Sequence, residues 1–306
     1  MQIRNTLLVL ALSFSVLASP ASKSGSQKGS KTGKHGGSGT GSSHKPSGTS
    51  APSTGSGAGD GSANNGTTSG GGSSGGGTEL QTTFPTPKGS QNLAAVKTIA
   101  AGQSFDGGMQ LWDRSPSTCK GQTEGGNKDA VFILEEGATI SNVVIGPNNG
   151  EGIHCLGSCT INNVWFQKVC EDAITFKQQS GTSFVNGGGA QDAADKVLQH
   201  NGGGTVSVKN YFCKNCSKMY RSCGNCKAQT ARHSTFENIR LDGGKMVAGV
   251  NGNLGDVTEI KDSCVLGGAA VCENFEGNSS GAEPKAVGTG PDGKVCVATN
   301  VKTSGC

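Results

Sequence analysis

Glu151 lies in Gly150-Glu151-Gly152-Ile153-His154-Cys155, and Glu171-Asp172 lies in Cys170-Glu171-Asp172-Ala173, 20 positions further on. Three carboxylates brought together would suit a hard cation that takes oxygen ligands, calcium above all. Spacing alone leaves a solvated acidic turn equally open. Lys196, in Asp195-Lys196-Val197-Leu198-Gln199, and Arg221, in Tyr220-Arg221-Ser222-Cys223, stand 25 positions apart. Beside a carboxylate-bound cation these two would clamp an acidic substrate; on spacing alone they are two ordinary surface cations. His154 adjoins the acids, but a lone His is more often a packed structural residue.

Separations of 20 and 25 residues become meaningful only if the chain returns to the same place at that period. A weak internal repeat says that it does. Ile140-Ser141-Asn142-Val143-Val144-Ile145, Ile161-Asn162-Asn163-Val164-Trp165-Phe166, Val208-Lys209-Asn210-Tyr211-Phe212, Phe236-Glu237-Asn238-Ile239-Arg240-Leu241 and Ile260-Lys261-Asp262-Ser263-Cys264-Val265 share one pattern. In each, an apolar residue is followed two positions later by Asn or Asp. The first positions step by 21, 47, 28 and 24 residues; with 47 taken as two units, the period is about 24. Short β-branched strands at that period, parted by Gly, Asn and Ser, predict stacked coils that complete one another's core. Only Gln191–Leu198 hints at helical periodicity. A β-sandwich would space its strands about 8–12 residues apart with hairpin signals between them. The expected fold is all-β, a right-handed parallel β-helix. The recurring Asn would form an internal ladder, each amide bonding to the coils above and below.

Composition places this domain at the back of the chain. The 306 residues include 52 Gly, and residues 21–78 are Gly, Ser and Thr with Lys and no apolar residue larger than Ala. All 12 cysteines follow residue 110. Residues 1–18 show Arg4, then the apolar run from Leu7 to Ala18, with Val16 and Ala18 placed for cleavage after Ala18. The run is too short to span a bilayer and reads as a secretory signal peptide. Residues 19–83 then read as a disordered Gly/Ser-rich linker, and 84–306 as the folded domain, exported and expected to be a monomer. Arg4, Lys23, Lys28, Lys31, Lys34 and Lys45 face only Asp60 in the leading part. The net charge of +4 therefore belongs there, and the domain is near neutral, which argues against a nucleic-acid-binding surface. Cys213-Lys214-Asn215-Cys216 and Cys223-Gly224-Asn225-Cys226 look like a paired zinc motif. The six-residue gap is short for one, and in an exported chain disulfides joining adjacent coils are the expectation.

At these residues the sequence resembles the pectate lyases of polysaccharide lyase family 3. The resemblance runs through Phe132–Ile140, Asn142–Gly146, Glu151–Cys155, Asn163–Phe166, Cys170–Ala173, Asp195–Val197, Gln199–Asn201 and Tyr220–Ser222, and it covers the domain from Phe84 onward. It implies a compact parallel β-helix that cleaves polygalacturonate, the pectate of plant cell walls, by calcium-dependent β-elimination. By motif, Glu151, Glu171 and Asp172 would be the calcium-site acids, and Lys196 and Arg221 the catalytic cations. Glu124, in Gly121-Gln122-Thr123-Glu124-Gly125, would be a further acid beside them. Bacterial members often have Asp where this chain has Glu151. Because an Arg stays protonated above pH ~12 while Lys titrates near ~10.4, Lys196 is expected to be the base, depressed by calcium and Arg221, with Arg221 as clamp; the reverse assignment is also open. Two rivals remain. One is a polygalacturonase-type hydrolase, which would need two carboxyls and neither Lys196 nor calcium. The other is a non-catalytic β-helix that binds acidic polysaccharide.

Overall fold

The computed structural model describes residues 79–306. The signal peptide and all but the last few residues of the linker expected at 19–83 lie outside it. The described chain winds into a parallel β-helix of about eight turns, and the strands of successive turns pair in register. Thr139–Ile145 pairs with Thr160–Phe166, which pairs in turn with Thr182–His200. Gly204–Lys209, Arg232–Glu237 and Val257–Leu266 carry the same face onward. Gln191–Leu198, where the sequence hints at a helix, lies inside the extended strand Thr182–His200. Its partners on both sides are strands, and their ladder hydrogen bonds override a weak local preference. Among the described residues no helix is long and apolar enough to cross a membrane.

The repeat fixes this register because its first residue always points inward. Ile140, Ile161, Val185, Val208, Phe236 and Ile260 lie opposite one another from turn to turn, and all are buried. The unit concealed in the 47-residue step is Val185-Asn186-Gly187. Two positions after each inward residue the backbone turns left-handed, with φ of 55° at Asn142, 53° at Asn163, 68° at Gly187, 54° at Asn210, 52° at Asn238 and 50° at Asp262. Asn, Asp and Gly tolerate that conformation best, so Gly187 satisfies the turn while hiding it from a search for Asn. The Asn ladder is real but not internal. Asn163 Nδ2 donates to Asn142 Oδ1 at 2.9 Å and Asn238 Nδ2 to Asn210 Oδ1 at 2.7 Å, along a half-buried corner. The αL residue bends the strand at this corner, and its side chain is left outside the core.

All 12 cysteines pair. Cys119–Cys170, Cys264–Cys306 and Cys272–Cys296 span long separations, whereas Cys155–Cys159, Cys213–Cys216 and Cys223–Cys226 close within a single coil. The expectation that the two C-x-x-C motifs join adjacent coils is therefore corrected. Cys213 faces Ala190 and Leu241 across the turns, and Cys216 faces Ala193 and Gly244. Neither has a cysteine within reach except the other, 5.9 Å away between Cα atoms. Packing also reaches back beyond the expected domain start: Leu80 and Phe84 both lie on the outer cluster of Val144, Trp165 and Phe212.

Two consequences can be measured. Asn238→Ala removes a ladder hydrogen bond and puts Cβ-bearing Ala in αL, and should cost about 2 kcal/mol, with Asn238→Gly losing about half of that; denaturant midpoints of the two variants check the order. His200 is fully buried between Tyr220, whose hydroxyl lies 2.9 Å from Nδ1, and the Gly203 carbonyl, 3.1 Å from Nε2. Burial lowers its imidazole to about 4 from an ordinary 6.5, with Arg232 and His233 pushing the same way and the Gly203 bond opposing. The folded state thus takes up its proton later than the unfolded one. Stability is complete above pH 6.5 and falls as pH drops toward 4, by on the order of 3 kcal/mol. His200→Gln should flatten that part of the stability–pH curve.

Candidate active site

One outer face of the helix collects the charged residues by register. Asp172 lies opposite Lys196, and Lys196 opposite Lys218. In the neighbouring column His154 faces Thr175, Thr175 faces Gln199, and Gln199 faces Arg221. Each step rises about 4.8 Å along the axis, so residues more than 60 positions apart in sequence form one floor. Glu151 and Glu171 stand on the turns that lead into two of these strands, joined by the Glu171 amide donating to the Gly150 carbonyl at 3.1 Å. Gly152 makes that turn possible, with φ 56° and a position where a Cβ would lie 2.0 Å from the Ala173 carbonyl oxygen.

Glu124 arrives from a loop that folds over this floor. The Cys119–Cys170 disulfide and a Gln122 amide donating to the Cys170 carbonyl at 2.5 Å pin it there. Gly125 N–H donates to Glu151 Oε1 at 2.7 Å, and a side chain at Gly125 would collide with that oxygen. The result is that carboxylate oxygens of Glu124, Glu151 and Glu171 lie within 4.8 Å of one another. Asp172 sits one step aside. Its Oδ1 is 3.3 Å from Lys196 Nζ, while Glu171 Oε1 is 3.1 Å and Asp195 Oδ2 2.5 Å from the same nitrogen. Glu151, Glu171 and Asp172 are each less than 5 % exposed.

The electrostatics follow from this crowding. Burial raises Glu171, opposed by Lys196 and reinforced by Glu124 and Glu151. Burial raises Asp172 well above the usual carboxylate range, against the pull of Lys196. Burial alone would lower Lys196, but Asp172, Asp195 and Glu171 outweigh it and hold the ammonium charged. That direction is opposite to the depression expected from calcium and Arg221, because without a cation the carboxylates are the dominant neighbours. Asp195, which burial would raise, is held below its ordinary value by Lys196 and Lys218. Arg221 is lowered by burial. It stacks on the Phe275 ring, 4.0 Å from its centroid, and donates through Nη1 to the Ser222 carbonyl at 2.6 Å and Asn251 Oδ1 at 3.1 Å. Among the described residues no acid forms an ion pair with it.

The acid group fits a hard cation on its own chemistry. Glu171 Oε2 is fully buried and accepts no hydrogen bond, and Asp172 Oδ1 has only its ion pair. Oxygen donors that are buried, unpaired and mutually repulsive are those a divalent cation satisfies. Of the expected site residues, Glu124, Glu151 and Glu171 form the cluster, Asp172 and Lys196 flank it, and Arg221 lies beyond. Lys218, Lys177 and Phe275 escaped the sequence reading. Lys218 could have been found by stepping 22 residues on from Lys196, one coil. Phe275 comes from a late strand and leaves no local signal.

Fold and cleft define a parallel β-helix with acids and cations gathered on one outer face. A family profile described as pectate lyase matches residues 81–281. The chain is similar to a probable pectate lyase D of Emericella nidulans, 48% identical over 214 residues that cover 68% of this chain and 81% of that one. Pectate lyase E of the same organism is 46% identical over 217 residues, 70% and 84% of the two chains. Among solved structures, the catalytic domain of pectate lyase PelI from Erwinia chrysanthemi superposes with a TM-score of 0.56 at 28% identity, covering 71% of this chain and 98% of that one. PelI in complex with tetragalacturonic acid gives 0.55 at 30% identity and 71% coverage of each chain. The chain belongs to the pectate lyase family.

If the acids hold a cation, calcium should raise the melting temperature. At a free concentration a hundredfold above Kd the gain is about 2.7 kcal/mol. Glu171→Gln should remove most of the shift, measured by calorimetry with and without chelator.

Proposed function

We propose that this pectate lyase is secreted and cleaves (1→4)-α-D-galacturonan by calcium-dependent β-elimination. The observation that carries the reading is the self-repelling group made by buried Glu151 and Glu171 with exposed Glu124, which shares one face of the helix with Lys196 and Arg221. When bound, calcium would neutralise these carboxylates together with a uronate carboxylate of the substrate. Glu124, Glu151 and Glu171 would hold it, with Asp172 beside them. Six disulfides suit an oxidising compartment, in keeping with export through residues 1–18; the linker at 19–83 and the helix that follows are then the secreted monomer.

The bond changes define what the side chains must do. The C5 proton, α to the carboxylate, leaves to a base. Its electron pair becomes the C4–C5 double bond, and the C4–oxygen bond breaks, its oxygen taking up a proton. Arg221 presents the free edge of its guanidinium to the uronate carboxylate, where charge accumulates as C5 loses its proton. The Phe275 ring keeps that plane fixed. Lys196, one coil from Arg221 and beside the acids, is the group we assign to receive the C5 proton, a role open to it once a bound cation and Arg221 offset the carboxylates that otherwise hold it protonated. Lys218, one coil above Lys196 and paired with Asp195, adds positive charge to the same wall. The elimination reading is favoured over hydrolysis because the cleft centres on clustered carboxylates and lysine, not on two separated carboxyls.

Polygalacturonate incubated with the enzyme and calcium should develop the ultraviolet absorbance of an unsaturated uronate, and chelator should abolish it. New reducing ends without absorbance would mean hydrolysis, and binding without products a lectin-like role. Lys196→Ala should lower kcat by about a hundredfold or more; an undiminished rate would remove Lys196 from its proposed role.

A further inference from the structure

Behind Arg221 a chain of hydrogen bonds leads into the interior, and the elimination chemistry above does not use it. Gly249 lies opposite Arg221 in the next coil, and Asn251 follows directly on the strand Arg240–Val250. Asn251 is fully buried. Its Oδ1 accepts from Arg221 Nη1 at 3.1 Å, and the same nitrogen donates to the Ser222 carbonyl at 2.6 Å. On the other side of the amide, Asn251 Nδ2 donates to Asp256 Oδ2 at 3.0 Å and to Ser222 Oγ at 3.1 Å. The Asn251 backbone N–H donates to that same Oδ2 at 2.8 Å, and the Arg232 backbone N–H to Asp256 Oδ1 at 2.9 Å. Asp256 is 1% exposed, so it does not meet substrate, and both of its oxygens are taken by N–H donors.

An amide has a donor end and an acceptor end of nearly equal size. Turned one way, Asn251 offers Arg221 an oxygen. Turned the other way, it sets an NH₂ against a guanidinium that has only donors. A carboxylate only accepts, so Asp256 Oδ2 selects the turn that brings Nδ2 toward itself and leaves Oδ1 for Arg221. The seat is also tight. A Cβ at Gly249 would lie 2.9 Å from Arg221 Cδ, and one at Gly224 would lie 2.8 Å from Arg221 Nη2 and 2.7 Å from Asn251 Oδ1. Phe275, stacked 4.0 Å away, fixes the plane of the guanidinium but leaves it free to turn within that plane. The bonds at Nη1 remove that freedom. The competing account is that Asp256 only closes the short turn Gly252–Leu254, which its backbone bond to Asn251 precedes.

We propose that Asp256 is a positioning residue for the lyase reaction, acting through the Asn251 amide on the Arg221 guanidinium without touching substrate. The inference rests on the lyase reading for the use made of Arg221. A guanidinium displaced by about 1 Å loses much of what it contributes where charge develops, at a cost of up to about a hundredfold in rate. Because the effect passes through one group, it vanishes once that group is gone. Removing the Asp256 carboxylate should slow an enzyme that has Arg221 and should leave unchanged the residual rate of one that lacks it. Closing a turn would matter equally to both.

Rates on polygalacturonate with calcium test this in Asp256→Asn, Arg221→Ala and the double variant. In Asp256→Asn kcat should fall about tenfold below the wild type, and the double variant should match Arg221→Ala within about twofold. A comparable fall in both backgrounds, or in neither, would overturn the proposal. If Asp256→Asn fails to fold, Asn251→Ala takes its place in the same comparison, since it removes Oδ1 and Nδ2 while both backbone N–H bonds to Asp256 stay. A second readout needs no turnover. The chain has five arginines, so protein isotope-labelled at the arginine nitrogens gives few guanidinium signals by magnetic resonance, and Arg221→Ala identifies that of Arg221. In Asp256→Asn this signal should shift and its protons should exchange faster with solvent; an unmoved signal would also overturn the proposal. A wild type that forms no unsaturated product, while its Arg221 signal moves in Asp256→Asn, would sink the lyase reading and leave the positioning of Arg221 standing.

Discussion

A residue in one coil of this chain sits about 4.8 Å above its counterpart in the next, and the rest of the molecule depends on that distance being kept in register. Ile140 over Ile161 over Val185 makes a core from strands that could bury little alone. The same stacking puts Asp172 under Lys196 and Gln199 under Arg221. A slip of one residue would turn every inward side chain outward and would also dissolve the charged floor. Core and cleft are consequences of a single pairing, held at the corner by the αL residues and their side-chain amides.

That rigidity explains how the chain tolerates Glu151 and Glu171, each less than 5% exposed, beside the exposed Glu124. Like charges in a flexible loop would move apart or take up protons. Here Glu151 is fixed by His154 and the Gly125 amide, Glu171 is fixed by its turn, and Glu124 arrives on a loop pinned by Cys119–Cys170. Lys196 compensates part of the charge through three carboxylates. Repulsion that the fold cannot relieve is a cost, and it is offset by the pairing energy of the coils on either side.

Much of this was legible in the sequence, and the residues show why. Ile140, Ile161, Val208, Phe236 and Ile260 are large and apolar, so the coil period could be counted, and counting it put Glu151, Glu171, Lys196 and Arg221 on one face. Gly187 was invisible because it meets the αL requirement with no side chain to recognise. The disulfides followed local geometry that spacing does not encode: Cys213 and Cys216 approach because the strand bends at the left-handed Asn215 between them, not because coils stack. Glu124 resembled a residue near the cleft, but its convergence on Glu151 and Glu171 depends on the disulfide-pinned loop, a tertiary fact. Phe275 reaches Arg221 from more than 50 positions away.

The division of the cleft follows from where the fold can place cations. Along its floor only outward-facing positions of the strands are available, one per column per coil. Lys196 and Lys218 occupy adjacent coils of one column and share Asp195, so their charge is already partly spent within the protein. Arg221 and Lys177 are different. Neither forms an ion pair among the described residues, and their bonds go to carbonyl and amide oxygens and to an imidazole nitrogen. The cleft thus keeps its paired charge on Lys196 and Lys218, close to the acids, and its unpaired charge on Arg221 and Lys177.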